Sequence, residues 1–85
     1  MLIANYPELR ELRPYRFDRV RRLVKDVAEA NGAAYVDLYA AVRDERAETL
    51  WVTKLDDHPN RLAHKLFADA MAPTVRRLLD QHATR

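Results

Sequence analysis

Leu2-Ile3-Ala4-Asn5-Tyr6 opens the chain as a short apolar run that stops at Pro7. The residue before a proline is biased to extended backbone, so this run predicts a buried strand. Glu8 to Tyr15, with Pro14 inside it, predicts a loop. From about Phe17 the period changes. Phe17, Val20, Val24, Val27 and Ala28 recur at helical spacing, and Leu23 widens the stripe. Asp18 falls in the first turn, where a negative charge suits the helix dipole, and Asn31-Gly32 supplies the stop. Ala33 to Leu38 then predicts a second strand. Strand, helix, strand with short connections is a βαβ unit, so the two strands should be parallel with a right-handed crossover. Leu38 to Arg46 reads as a short helix. Glu48 to Asp57, carrying Leu50, Trp51 and Val52, reads as a loop packed onto the body by Trp51. The last helix begins near Asn60, with Ala63, Leu66, Phe67, Ala70 and Met71 as its stripe, continued by Val75, Leu78 and Leu79. Pro73 should kink or restart it, and His82 to Arg85 should be a frayed tail.

Length limits this picture. Eighty-five residues make at most one small domain, and a chain of this size buries only about 60–65% of its unfolded surface. Two parallel strands are a poor free-standing sheet, because parallel sheets are normally covered on both faces within larger α/β structures. The expected organisation is therefore one partial domain over residues 1–85, the last portion of a doubly wound fold. The apolar runs are far shorter than the roughly 18 residues of a membrane span. Met1 to Pro7 lacks a basic leader and a cleavage-type segment, so the chain reads as cytoplasmic as it stands, its compartment otherwise unknown.

The formal charge is +2, mostly through arginine. Arg16, Arg19, Arg22 and Lys25 form a basic stripe that could attract phosphates, but Asp18, Asp26 and Glu29 intersperse it. It reads as a solvated helix face, and no nucleic-acid partner is expected.

The candidate chemistry lies at Asp56-Asp57-His58-Pro59-Asn60. Histidine shuttles protons near neutral pH, and a general base needs a partner that fixes its tautomer and steadies the imidazolium. In extended backbone alternate side chains share a side, which puts Asp56 with His58 and Asp57 opposite. Pro59 stiffens the turn, and Asn60 is placed to cap the helix. From spacing alone two readings stand: an acid–base pair, or a loop-to-helix cap without chemistry. The chain has no serine and no cysteine. Thr49, Thr53, Thr74 and Thr84 do not substitute, because a threonine nucleophile usually needs an N-terminal amine.

His64 is six residues beyond His58, a spacing unlike the i,i+4 of paired helix ligands, so no metal or cofactor is expected. Asp37 closes the second strand, at the edge where α/β ligand sites gather, and reads first as a capping or loop-fixing residue. Trp51 reads as packing before it reads as the wall of an acyl pocket. Tyr35 and Tyr39 read as core and rim aromatics.

The sequence GAAYVDLYAAV (Gly32 to Val42) and the block DDHPNRLAHKLFADAM (Asp56 to Met71) resemble the C-terminal third of SGNH (GDSL-type) serine hydrolases, which are esterases and lipases. The resemblance covers nearly the whole chain. Its specific part is His58-Pro59-Asn60 followed by Ala63-His64 and Phe67-Ala68-Asp69. It implies a flavodoxin-like three-layer α/β/α fold of which this chain supplies two parallel strands plus helices. It also implies His58 as base toward a serine and Asp56 as the acid that steadies it. The commonest family spacing, Asp-x-x-His, would put the acid at Leu55, and Asp57 is a lesser candidate. The Gly-Asp-Ser block and the oxyanion-hole blocks have no counterpart. The implied partners are an ester substrate, once the missing part is supplied, and a chain carrying that part. The alternative expectation is a small non-catalytic protein that docks through an exposed strand edge.

Overall fold

The computed structural model describes residues 1–83. Its elements are β1 (Leu2–Asn5), α1 (Asp18–Ala30), β2 (Ala34–Asp37), α2 (Tyr39–Val42), a 3-10 turn (Ala47–Leu50), β3 (Trp51–Thr53), β4 (Asp56–Pro59) and α3 (Arg61–Ala83). The fold is mixed α/β. β1 and β2 pair in parallel, Leu2 opposite Ala34 through Asn5 opposite Asp37, with α1 as the crossover. Gly32, at φ +67°, ends α1 in the left-handed conformation that a side chain would strain. The expected βαβ unit is present, with boundaries within a residue or two of the apolar runs.

The core is wholly apolar, and among the described residues no charged or polar residue is fully buried. It gathers Leu9, Leu12, Leu38, Val42, Leu50, Ala63 and Phe67, so it lies between α2, the 3-10 turn and the first half of α3. Leu9 and Leu12 come from the segment expected to be only a loop. Their spacing in a charged stretch is a weak signal, and the fold buries them under Trp51 and Tyr39, whose indole N–H and hydroxyl donate to the Leu9 and Leu12 carbonyls at 2.8 Å each. Trp51 is thus a packing residue, as its place in the sequence suggested.

Two expectations are corrected. Glu48 to Asp57 is not a loop: it forms the 3-10 turn and most of an antiparallel hairpin, with Trp51 opposite Pro59 and Thr53 opposite Asp56. Trp51-Val52-Thr53 are strand formers, and the Thr53 hydroxyl closes the turn by accepting the Leu55 N–H at 3.3 Å. Two steps along β3 match three along β4, an extra residue that makes the ladder irregular. Nor does α3 restart at Pro73, which sits inside one helix. A proline removes one amide donor while the turns on either side stay bonded. Burial of Ala63 and Phe67 holds the first half of the helix to the body. The helix reaches Ala83, into the stretch expected as a tail. Thr84 and Arg85, the rest of that stretch, lie outside the described residues. No helix among the described residues is long and apolar enough to cross a membrane.

Candidate functional site

The hairpin and the start of α3 are fastened together by Asn60. Its side-chain Oδ1 accepts the Ala63 N–H at 3.0 Å, the N-cap expected of an asparagine here. Its Nδ2 donates to the carbonyls of Thr49 at 2.8 Å and Trp51 at 3.0 Å, and its backbone N–H donates to Leu50 at 2.8 Å. One residue therefore ties the helix start to the 3-10 turn and β3. The cap was legible in the sequence; the two inward donations were not, because their acceptors are remote backbone carbonyls.

Asp56 and His58 lie on β4 just before this cap. Asp56 Oδ1 meets His58 Nδ1 at 2.5 Å and accepts the His58 backbone N–H at 3.1 Å. The shared side of alternate strand residues thus brings acid and imidazole together. Each perturbs the other. The Asp56 carboxylate raises the imidazole pKa above its ordinary 6.5, chiefly through the side-chain hydrogen bond and then through its charge. That hydrogen bond, seconded by the backbone N–H, lowers the Asp56 pKa below its ordinary 3.8. With Nδ1 carrying its proton to the carboxylate, the neutral imidazole keeps its lone pair on Nε2. The ring is 82% exposed, so that nitrogen is open to a proton donor from outside the chain.

Asp57 faces differently. It lines a shallow pocket of about 130 Å³ with Arg10, Trp51, Lys54 and Leu55. Leu55, where the more usual Asp-x-x-His spacing would put the acid, is fully exposed at the hairpin tip. Asp56, Asp57 and His58 each offer one ligand atom, and these atoms lie within 4.8 Å of one another, so the segment has the donor set for a divalent cation. This grouping was not anticipated from His64, which lies on α3 outside it. Among the described residues no threonine stands in for a nucleophile beside His58: the Thr49 hydroxyl donates to the Arg46 carbonyl, the Thr53 hydroxyl is engaged in the turn, and Thr74 lies on α3; Thr84 lies outside the described residues.

Asp37 has the structural role expected of it. Its Oδ1 accepts the Tyr39 N–H at 3.1 Å at the start of α2, and its Oδ2 takes the Arg21 guanidinium, Nε at 3.0 Å and Nη2 closer still. Arg21 also reaches Asp18 and lies 4.2 Å over the Tyr39 ring, whose other neighbour is the stacked ring of Tyr15. Paired with two carboxylates, Arg21 has its pKa pushed further up, and burial raises that of Tyr15. Tyr35 is a rim aromatic that accepts from the Asn5 amide at 3.3 Å. Arg16, Arg19, Arg22 and Lys25 are all exposed, as a solvated face requires. Comparison with protein-family models, with curated proteins and with solved structures finds no match to this chain.

Proposed function

We propose that these residues carry the acid–base half of an SGNH-type ester hydrolase, with His58 as general base and Asp56 as the group that orients it. The observation carrying this reading is the Asp56 Oδ1 to His58 Nδ1 contact at 2.5 Å on an imidazole whose other nitrogen is open. A serine–histidine–acid system needs that arrangement: the acid fixes the Nδ1–H tautomer and Nε2 takes the nucleophile's proton. The resemblance of the block from Asp56 to Met71 to the final block of that family points the same way.

The chemistry then runs as acyl transfer. A serine hydroxyl from outside these 85 residues gives its proton to His58 Nε2 and attacks the ester carbonyl. The imidazolium, steadied by Asp56, returns the proton to the leaving alcohol, and water attacks the acyl-enzyme by the same route. With no serine and no cysteine of its own, and without oxyanion donors that each carry about 10²–10³ in rate, the 85-residue chain alone is inactive. The test combines it with the polypeptide encoded upstream, whether in frame or separate, and labels the mixture with a fluorophosphonate while following 4-nitrophenyl acetate. The expected result is serine labelling and turnover that need this chain and vanish with His58→Ala. Turnover by the chain alone, or labelling indifferent to His58, overturns the reading.

One observation favours a second reading, docking without catalysis. The β1–β2 sheet has only two strands, so both outer edges carry unpaired backbone groups, the template for strand addition. Binding of the upstream product at full strength by His58→Ala, with no turnover by either form, would favour it.

A further inference from the structure

α1 carries an apolar stripe that the body does not cover. Val20, Leu23 and Val27 are 49%, 55% and 58% exposed, at i, i+3 and i+7 along one helix face. The helix turns a different face to the sheet: Ala28 is fully buried, and Arg21 and Val24 are half-buried. On the flank of the stripe away from the sheet lie Arg19 and Asp26. Of the other charges on α1, Asp18 is paired with Arg21 and Lys25 with Glu29, and Arg22 lies further round the helix from the apolar stripe than Arg19 and Asp26 do. Arg19 and Asp26 form no ion pair among the described residues.

We propose that this face is a self-association surface on which α1 of a second copy lies antiparallel. Spacing of 3 and 4 between apolar positions is the seam of a helix pair, and flanking charges decide orientation. Antiparallel pairing sets Leu23 between Val20 and Val27 of the second copy and brings Arg19 beside Asp26 of that copy. The two-fold axis makes the ion pair twice. A parallel pair forms neither. The charge pattern therefore selects both the partner, another copy of this chain, and its direction. Three apolar side chains per copy make a small interface, so the dimer is weak and depends on concentration. The surface is separate from Asp56 and His58, and its test does not depend on their role.

The experiment is sedimentation velocity of the full chain from micromolar to millimolar concentration. A reversible monomer–dimer equilibrium is expected. Leu23→Asp, at an exposed position, should abolish it while leaving the circular dichroism spectrum unchanged. Arg19→Asp and Asp26→Arg should each weaken association about tenfold, and the double exchange should restore it, since the same two pairs re-form with reversed sign. A monomer at every concentration overturns the proposal. So does association that survives Leu23→Asp, or a double exchange no better than either single change.

Discussion

α1 and the first half of α3 have the same kind of amphipathic stripe and opposite fates. In α3 the stripe residues Ala63 and Phe67 are fully buried, covered by Leu38, Val42 and Leu50, and the helix start is held by Asn60. In α1 only Ala28 is buried, and Val20, Leu23 and Val27 face out. An apolar period marks a face that can be buried without saying what buries it. α3 finds its cover within the chain, because the hairpin, α2 and the Leu9–Leu12 segment converge on it. α1 has only two four-residue strands beneath it, and they bury Ala28 while Val20, Leu23 and Val27 stay exposed.

The sharpest way to break this contrast is to truncate one residue in each region. Phe67→Ala should cost about 3–5 kcal/mol, by lost transfer energy and the cavity left behind, and remove the cooperative thermal melt of so small a domain. Leu23→Ala, measured in dilute solution, should change stability by no more than about 0.5 kcal/mol, as surface substitutions do. Equal losses would mean that α1 is covered after all.

Next in size is Asn60→Ala. It removes the cap and leaves the Thr49 and Trp51 carbonyls without their donors, so about 1–2 kcal/mol should be lost in urea denaturation. An unchanged midpoint would show that the hairpin is not fastened to α3 in this way. Asp37→Asn, on the α1 side, weakens the grip on Arg21 but keeps an acceptor for the Tyr39 N–H. Both partners are partly exposed, so the cost should be smaller, about 1 kcal/mol.

The smallest effect on stability is expected at Asp56, whose pairing with His58 is exposed and has its consequence in proton affinity. Asp56→Asn should lower the His58 pKa in an NMR titration of the imidazole, leaving the weaker upward pull of the Asp57 charge. The raised His58 pKa contributes stability that is fully present below 6.5 and lost as pH rises through the folded-state value. The lowered Asp56 pKa contributes stability present above 3.8 and lost as pH falls through its folded-state value. The pair is therefore strongest between these limits. A base must be neutral, so in a reconstituted hydrolase the acid limb of the pH–rate profile should lie above 6.5 and move down with Asp56→Asn. An imidazole that titrates alike in both forms would reduce the contact to a passive cap.

Much of this was legible in the chain. The run before Pro7, the 3.6-residue period of α1 and the Asn31-Gly32 stop are local signals, and β1, α1 and β2 follow them closely. The Asp56–His58 alignment was legible because strand alternation acts over two residues. The hairpin was missed because its three-residue strand is too short to show a period, and its partner is the segment read for chemistry. Pro73 misled because a proline's cost is local and packing elsewhere offsets it.

The sequence alone determined which residues are apolar, that α1 stops at Asn31-Gly32, that Asp56 and His58 share a side, and that these 85 residues hold no serine and no cysteine. Tertiary structure alone decided that Leu9 and Leu12 enter the core, that Asn60 joins three segments, that Arg21 closes on Asp37, and that one amphipathic helix is covered while the other is left open. Local conformation depends on neighbours within a few residues. Burial depends on which distant segments arrive at the same place, and no period along one helix records that.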